Sequence, residues 1–314
     1  MPETRKPIVV VGSVTMDMVT CTPQIPRIGQ TIIGTSFSTT PGGKGANQAV
    51  AAARLGYPVQ FLGMVGDDVY GPQLIQNLTD AGVNTSAIET ASGSSGLAPI
   101  FLDANGQNAI VVVPGANGKV DTRYVDKHLD IIRSAGMVLC QLELPMATID
   151  YTLALCAELE IPVMLDPAPA AAISDPAWNQ LAWFTPNETE AAFYLPAWSD
   201  PAGSDPEVAA QRLLARGLRG VVLKRGAEGA YVAVAGGIAG WVKPFAVDAI
   251  DTVAAGDCFN GAFAVALLEG KDPLSAARFA CAASAISVTR RGAQASMPTR
   301  ADLNTFLAHR GETI

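Results

Sequence analysis

The run Asp251-Thr252-Val253-Ala254-Ala255-Gly256-Asp257-Cys258-Phe259-Asn260-Gly261-Ala262 sets an acid among small side chains. It reads as a loop entering an apolar helix that continues through Phe263, Val265, Leu267 and Leu268. Small residues let backbone N–H groups approach a ligand closely, and a helix N-terminus favours negative charge. The amides of Ala254, Ala255 and Gly256 can therefore hold a moving phosphoryl group while Asp257 accepts the proton of an attacking hydroxyl. Asp257 can equally be a helix cap that complements the helix dipole.

A second constellation lies near the other end of the chain. Pro41-Gly42-Gly43-Lys44-Gly45-Ala46-Asn47-Gln48 is a glycine-rich turn entering the helix of Ala49–Leu55. Lys44 and Asn47 are three apart, so they share a helical face and can point into one site. The turn is not a Walker A loop, because Gly45 stands where Ser or Thr must follow Gly-Lys. Nor is it the dinucleotide fingerprint, because Gln48 replaces the last glycine. A tight helix entry with a solvated lysine is the plainer reading.

These loops need a frame. Short β-branched runs at 8–12, 59–65, 136–141, 162–166, 181–184 and 220–225 predict core strands. Between them, Ala/Leu-rich stretches at 43–55, 69–81, 121–134, 146–159, 187–194, 205–217, 255–269, 273–288 and 301–309 predict helices. Such alternation argues for a mostly parallel sheet covered by helices on both faces. Residues 14–40 and 96–113 break the pattern; the second reads as two strands around Asn105-Gly106. Together they predict a small accessory sheet, whose open face and edges suit a lid or a dimer contact.

Composition narrows the function classes. The 314 residues are 49% hydrophobic and 16% charged, which is the profile of a folded globular chain. A net charge of −8 argues against nucleic-acid or acidic-membrane partners. Five scattered cysteines without a C-x-x-C pair fit reduced thiols in the cytoplasm, and each reads first as a small buried hydrophobe. His128 and His309, the two histidines, lie in no motif, which argues against a histidine triad or zinc centre. No apolar run reaches membrane-spanning length.

Read in order, Gly42–Ala49, Gln141-Leu142-Glu143, Asp166-Pro167-Ala168-Pro169, Pro186-Asn187-Glu188-Thr189-Glu190, Asp251–Ala262 and Arg290-Arg291-Gly292-Ala293-Gln294 resemble the ribokinase family of carbohydrate kinases. The resemblance covers nearly the whole chain. It implies one ribokinase-like domain over 1–314, a three-layer α/β/α fold with a mostly parallel central sheet and a small β-sheet lid from about 14–40 and 96–113. It implies a sugar site at Thr15, Asp17, Gly42, Gly43, Lys44, Asn47 and Glu143, with Asp257 as base and Ala254–Gly256 as anion hole. Asn187 and Glu190 would organise Mg²⁺ and the ATP phosphates. Lys224, Gly226, Ala227, Glu228 and Gly229 match a turn near the nucleotide, and Cys281 the flank of adenine. Asp251, Val253, Ser287, Arg290, Gly292 and Ser296 match a K⁺ site, several of them through backbone carbonyls. The family commonly dimerises through the lid sheet. Taken singly, Asn187-x-x-Glu190 is also a capping box, Glu143 a strand-end carboxylate and Asp17 a turn residue.

The expected reaction is transfer from ATP to the 5-hydroxyl of D-ribose, giving ribose 5-phosphate and ADP. Thr15 stands where ribokinases often carry Asn, and Ala98-Pro99 resembles the deoxyribokinase branch, so 2-deoxyribose is the alternative. A site lacking a partner for the 2-hydroxyl discriminates poorly against the sugar without it. Kinases of phosphorylated sugars need basic groups that are absent from 31–40 and 96–113. A nucleoside kinase, or a sugar or nucleotide sensor without catalysis, are the remaining readings; intact Gly256, Asp257, Asn187 and Glu190 argue against the sensor.

Overall fold

The computed structural model describes residues 5–195 and 205–312. Of the expected 1–314 span, residues 1–4, 196–204 and 313–314 lie outside the described residues. The first half contains β1 (Ile8–Val11), β2 (Thr15–Cys21), β3 (Ser36–Gly42), α1 (Lys44–Arg54), β4 (Val59–Leu62) and β5 (Met64–Gly66). There follow α2 (Gly71–Asp80), β6 (Glu89–Ala91), β7 (Gly96–Leu102), β8 (Asn108–Ile110), α3 (Thr122–Lys127), α4 (Leu129–Ser134) and β9 (Met137–Gln141). The second half contains α5 (Met146–Glu158), β10 (Val163–Asp166), β11 (Trp183–Phe184), α6 (Glu188–Tyr194), α7 (Pro206–Leu214) and β12 (Gly220–Lys224). It closes with β13 (Ala230–Val234), β14 (Ala239–Val242), α8 (Ala255–Leu268), α9 (Pro273–Val288) and α10 (Arg300–Ala308).

The main sheet runs β14-β13-β12-β11-β10-β9-β1-β4. Neighbours from β12 to β4 are parallel, whereas β13 and β14 add an antiparallel edge. Alternate residues of each strand feed opposite cores. Ile8, Val10, Leu139, Met164 and Val222 pack with α1, α8 and α9 on one face. Val9, Val11, Val138, Leu165 and Val221 pack with α5 and α7 on the other. Burial on both faces explains why these strands are continuous apolar runs. The result is the expected three-layer α/β/α arrangement.

The second sheet, β3-β2-β7-β8, is built from the two predicted segments. Asp17 stands opposite Thr40 on β3 and Ala98 on β7. Asp103 ties the β7–β8 turn by accepting the N–H groups of Asn105 and Gln107, each at 2.8 Å.

Two expectations need correction, and three short strands are added. The 59–65 run is two strands, because the chain leaves the main sheet at Gly63 and β5 pairs with β6. A Cβ on Gly63 would meet the Phe61 ring at 2.7 Å and the Gly12 carbonyl at 2.8 Å, so no other residue makes that turn as it stands. The 121–134 helix breaks at His128, whose ring bonds Glu89 at 2.9 Å and meets Tyr124 edge-on. Finally, β6, β13 and β14 have no counterpart among the predicted elements. No described helix is long and apolar enough to cross a membrane.

Candidate active site

The C-terminal ends of β1, β9, β10, β11 and β12 lie on one edge of the parallel sheet, the edge where ligands bind in folds of this kind. Each end, or the loop just after it, presents a polar side chain: Ser13, Gln141 and Glu143, Asp166, Asn187, Lys224. The N-terminal turns of α1 and α8 face them.

The turn into α1 depends on two glycines. Gly43 has φ 91°, a left-handed conformation, and a Cβ there would lie 2.8 Å from Val14 Cα and the Thr15 nitrogen. Gly45 packs so closely on Gly12 that a Cβ would come within 2.7 Å of its Cα. No side chain caps α1 from its own N-cap position. Glu143 does so instead, accepting the Lys44 N–H at 3.0 Å and the Ser13 hydroxyl. Its predicted place at a strand end holds, and a structural duty is added to the expected sugar contact.

Across the turn, Asp17 lies against Gly42, where a Cβ would be 2.3 Å from its carboxylate. Thr15 donates its hydroxyl to Asp17 at 2.9 Å. Burial pushes Asp17 up to about 6, against that hydrogen bond and with help from the charges of Glu143 and Asp257.

Asp257 is buried in the first turn of α8 and is held from α1. Asn47 donates to one carboxylate oxygen at 2.9 Å and Gln48 to the other at 3.2 Å. Burial pushes Asp257 up to about 6; Asp166 adds to the rise, and Lys44 with the two amides opposes it. The simple cap reading therefore fails to account for this acid, whose partners are side chains of another helix. Burial works against charge on Lys44, but Asp257, Asp166, Glu143 and Glu190 outweigh it and hold Lys44 above the usual lysine range.

Gln48 also donates to Asp166 at 2.9 Å and accepts from Gln141 at 2.8 Å. Asp166 in turn pairs with Lys224 at 2.9 Å, both nearly buried. A Cβ on Gly256 would lie 3.4 Å from the Lys224 ammonium, which therefore faces the turn expected to hold an anion. Ala254 there has φ 58°, left-handed and costly for alanine by about 1 kcal/mol. Of the three amides expected to grip a phosphoryl group, that of Ala255 is engaged by the Thr252 carbonyl at 3.2 Å.

Asn187 and Glu190 form a full capping box on α6, with bonds of 2.9 Å and 2.7 Å. Burial raises Glu190, with Lys224 opposing and Asp166 adding. Glu228, in the Gly226–Gly229 turn, pairs with Arg225 at 2.8 Å. Cys281 is buried in α9, and burial pushes its thiol up to about 12.

The six residues matched to K⁺ come together around the C-terminal end of α9. Asp251 accepts the N–H groups of Val253 at 3.0 Å and Gly292 at 2.9 Å. The Ser287 and Ser296 hydroxyls meet at 2.7 Å. Arg290 directs its side chain to Asp302 at 3.3 Å, so it can offer only its backbone here.

Gln48, Asp166, Gln141 and Ser13 were not assigned roles from sequence. The first three lie in recognisable motifs, but their function as buried links is visible only once α1, β9 and β10 are brought together. Ser13 carries no motif signal.

The pfkB family carbohydrate kinase pattern matches residues 5–300. The ribokinase of Bacillus subtilis is 42% identical over 304 residues, covering 96% of this chain and 99% of that protein. A deoxyribokinase of Salmonella typhimurium is 35% identical, covering 96% and 98%. The structure of Arabidopsis thaliana ribokinase complexed with ribose and ATP superposes with a TM-score of 0.90 at 32% identity, covering 96% and 99%. With the fold, the strand-end cluster and the buried Asp257 in place, these likenesses show that the chain belongs to the pfkB family of carbohydrate kinases.

Proposed function

We propose that this chain transfers the γ-phosphoryl group of ATP to the 5-hydroxyl of D-ribose, giving ribose 5-phosphate and ADP. The observation that carries the reading is Asp257, a buried carboxylate oriented by Asn47 and Gln48 at the mouth of α8. Asp257 takes the hydroxyl proton as the new O–P bond forms and the bond to the ADP oxygen breaks. Lys44 and Lys224 set positive charge on either side of that path, and the N-terminal turn of α8 adds its dipole. Asp17, Glu143 and Asn47 hold the sugar. The Asn47 carbonyl oxygen is buried and unpartnered among the described residues, an acceptor that suits a sugar hydroxyl.

The oxygen donors of Asn187 and Glu190 suit a hard divalent cation such as Mg²⁺. The carbonyl and hydroxyl donors around Asp251, Ser287 and Ser296 suit a monovalent one such as K⁺. When bound, these ions neutralise phosphate charge and steady the loop before α8.

One domain with a β2-β3-β7-β8 lid fits this chemistry, since a lid excludes the water that would hydrolyse ATP. Phe37, Ile110 and Val111 leave apolar surface exposed on that sheet. We place a homodimer contact there, in a cytoplasmic enzyme without nucleic-acid or membrane partners. Light scattering at micromolar concentration is expected to give twice the chain mass; a monomer contradicts the contact.

A second reading has support from two residues. Thr15 spends its hydroxyl on Asp17, and Ala98, opposite Asp17, brings no polar group. The apolar neighbourhood fits 2-deoxyribose. The test is coupled ADP release with ATP, Mg²⁺ and K⁺ at equal subsaturating D-ribose or 2-deoxy-D-ribose. Faster release with ribose is expected; faster release with deoxyribose reverses the order, and no release with either favours a nucleoside substrate or a sensor.

A further inference from the structure

Gln294 is buried, yet it lies 252 residues from the glycine turn it touches. Its side-chain amide donates to the Gly42 carbonyl at 3.4 Å, and its carbonyl oxygen accepts from Asn77 on α2. The loop that carries it is fixed on both sides. Before Gln294, the Gly292 N–H donates to Asp251 at 2.9 Å. After it, Ser296 meets Ser287 at 2.7 Å, and Arg54 at the end of α1 grips the carbonyls of Ala295 and Met297 at 3.3 and 2.9 Å.

Gly42 is sensitive to being moved. Its Cα is packed against the Asp17 carboxylate, and Gly43 beside it holds a left-handed φ that fixes the entry to α1. A cavity of about 220 Å³ lies beside the end of β3 just before the turn, bordered by Thr40, Pro41, Arg54, Asn77 and Gln294. Packing is therefore incomplete beside the residues that lead into Gly42, and Gln294, on the cavity wall, bonds both Gly42 and Asn77.

We propose that Gln294 is a positioning residue for the sugar site, a strut that holds the Gly42–Gly43 turn against Asp17 from the C-terminal loop. It acts through the Gly42 carbonyl and touches no substrate. The inference rests on the sugar-kinase reading above. Losing the strut frees the Gly42 carbonyl and loosens the turn against Asp17, while Asn47 and Gln48, further into α1, keep their hold on Asp257. The effect then falls on sugar capture and spares the chemical step.

The test compares wild type with Gln294→Ala and Gln294→Glu. The glutamate keeps the size and the acceptor for Asn77 but, ionised, cannot donate to Gly42. D-ribose affinity is measured by calorimetry without nucleotide, alongside kcat, KM and melting temperature. Both variants are expected to bind ribose about 10-fold more weakly, a change of about 1.4 kcal/mol, with KM raised in step and kcat within about 3-fold. Wild-type affinity in Gln294→Glu, or a fall in kcat at unchanged KM, overturns the strut. If Gln294→Ala fails to fold, the glutamate variant decides alone. Failure of the kinase reading is distinguishable, because it shows as a wild-type protein without ribose-dependent ADP release.

Discussion

Replacing Asp257 with Asn is expected to lower kcat for the sugar-dependent reaction by roughly 10³-fold, the scale of a lost general base. Sugar and ATP binding persist, because Asp17, Glu143, Lys44 and Lys224 remain. The pH dependence gives an independent signature. Burial pushes Asp257 up to about 6, so wild-type kcat falls about tenfold per unit below that pH and is level above it. The variant loses this limb. Asp17 is pushed up to about 6 as well, so the limb in kcat/KM is steeper than in kcat. Stability moves the other way. A carboxyl whose folded pKa is about 6 rather than 3.8 holds its proton more tightly when folded, so stability falls as pH rises between those values. Above pH 6 that cost is fully present, and Asp257→Asn removes it. The melting temperature at pH 7 is therefore expected to stay within a few degrees of wild type, separating lost chemistry from lost fold.

Lys44→Met is the second large effect. The ammonium of Lys44 stands in the field of Asp257, Asp166, Glu143 and Glu190, whose attraction overcomes the burial that disfavours its charge. Without it, burial and Asp166 act on Asp257 with less opposition. The acid limb of kcat is expected to move upward by at least about 1 pH unit. At pH 7 half or more of the base is then protonated, and one of the two positive charges on the phosphoryl path is gone. Activity falls roughly 100-fold or more, with partial recovery toward pH 9. A pH–rate profile of the variant checks this. An unshifted limb with near wild-type kcat would contradict the placement of Lys44 between the sugar and phosphate sides.

The parts legible from sequence are those governed by local rules. The β1, β9, β10 and β12 runs were readable because burial on both faces makes them continuous apolar strands. The helices α8 and α9 were readable to within about a residue from their entry turns. By contrast, Ala230–Val234 and Ala239–Val242 form a short antiparallel edge around Gly236-Gly237, too brief to stand out beside longer runs. His128 breaks a helical pattern through contacts with Glu89 and Tyr124, one of them from another element. The site divides similarly. Asp257, Lys44 and Asn47 announce themselves by their loops. Gln48 and Asp166 act only as links between α1, α8 and β12, a relation no local spacing expresses. The side-chain direction of Arg290 was equally hidden, because Asp302 belongs to a different helix.

In the proposed reaction Asp257 deprotonates a sugar hydroxyl for attack on ATP. The most direct test is the initial rate of ADP release at saturating ATP, with and without saturating D-ribose, in wild type and Asp257→Asn. Calorimetry on the same samples reports ribose binding. Strong ribose dependence is expected in wild type, and in the variant retained ribose binding with almost no ribose-stimulated release. Near wild-type release from Asp257→Asn, or no ribose stimulation in wild type, would contradict it.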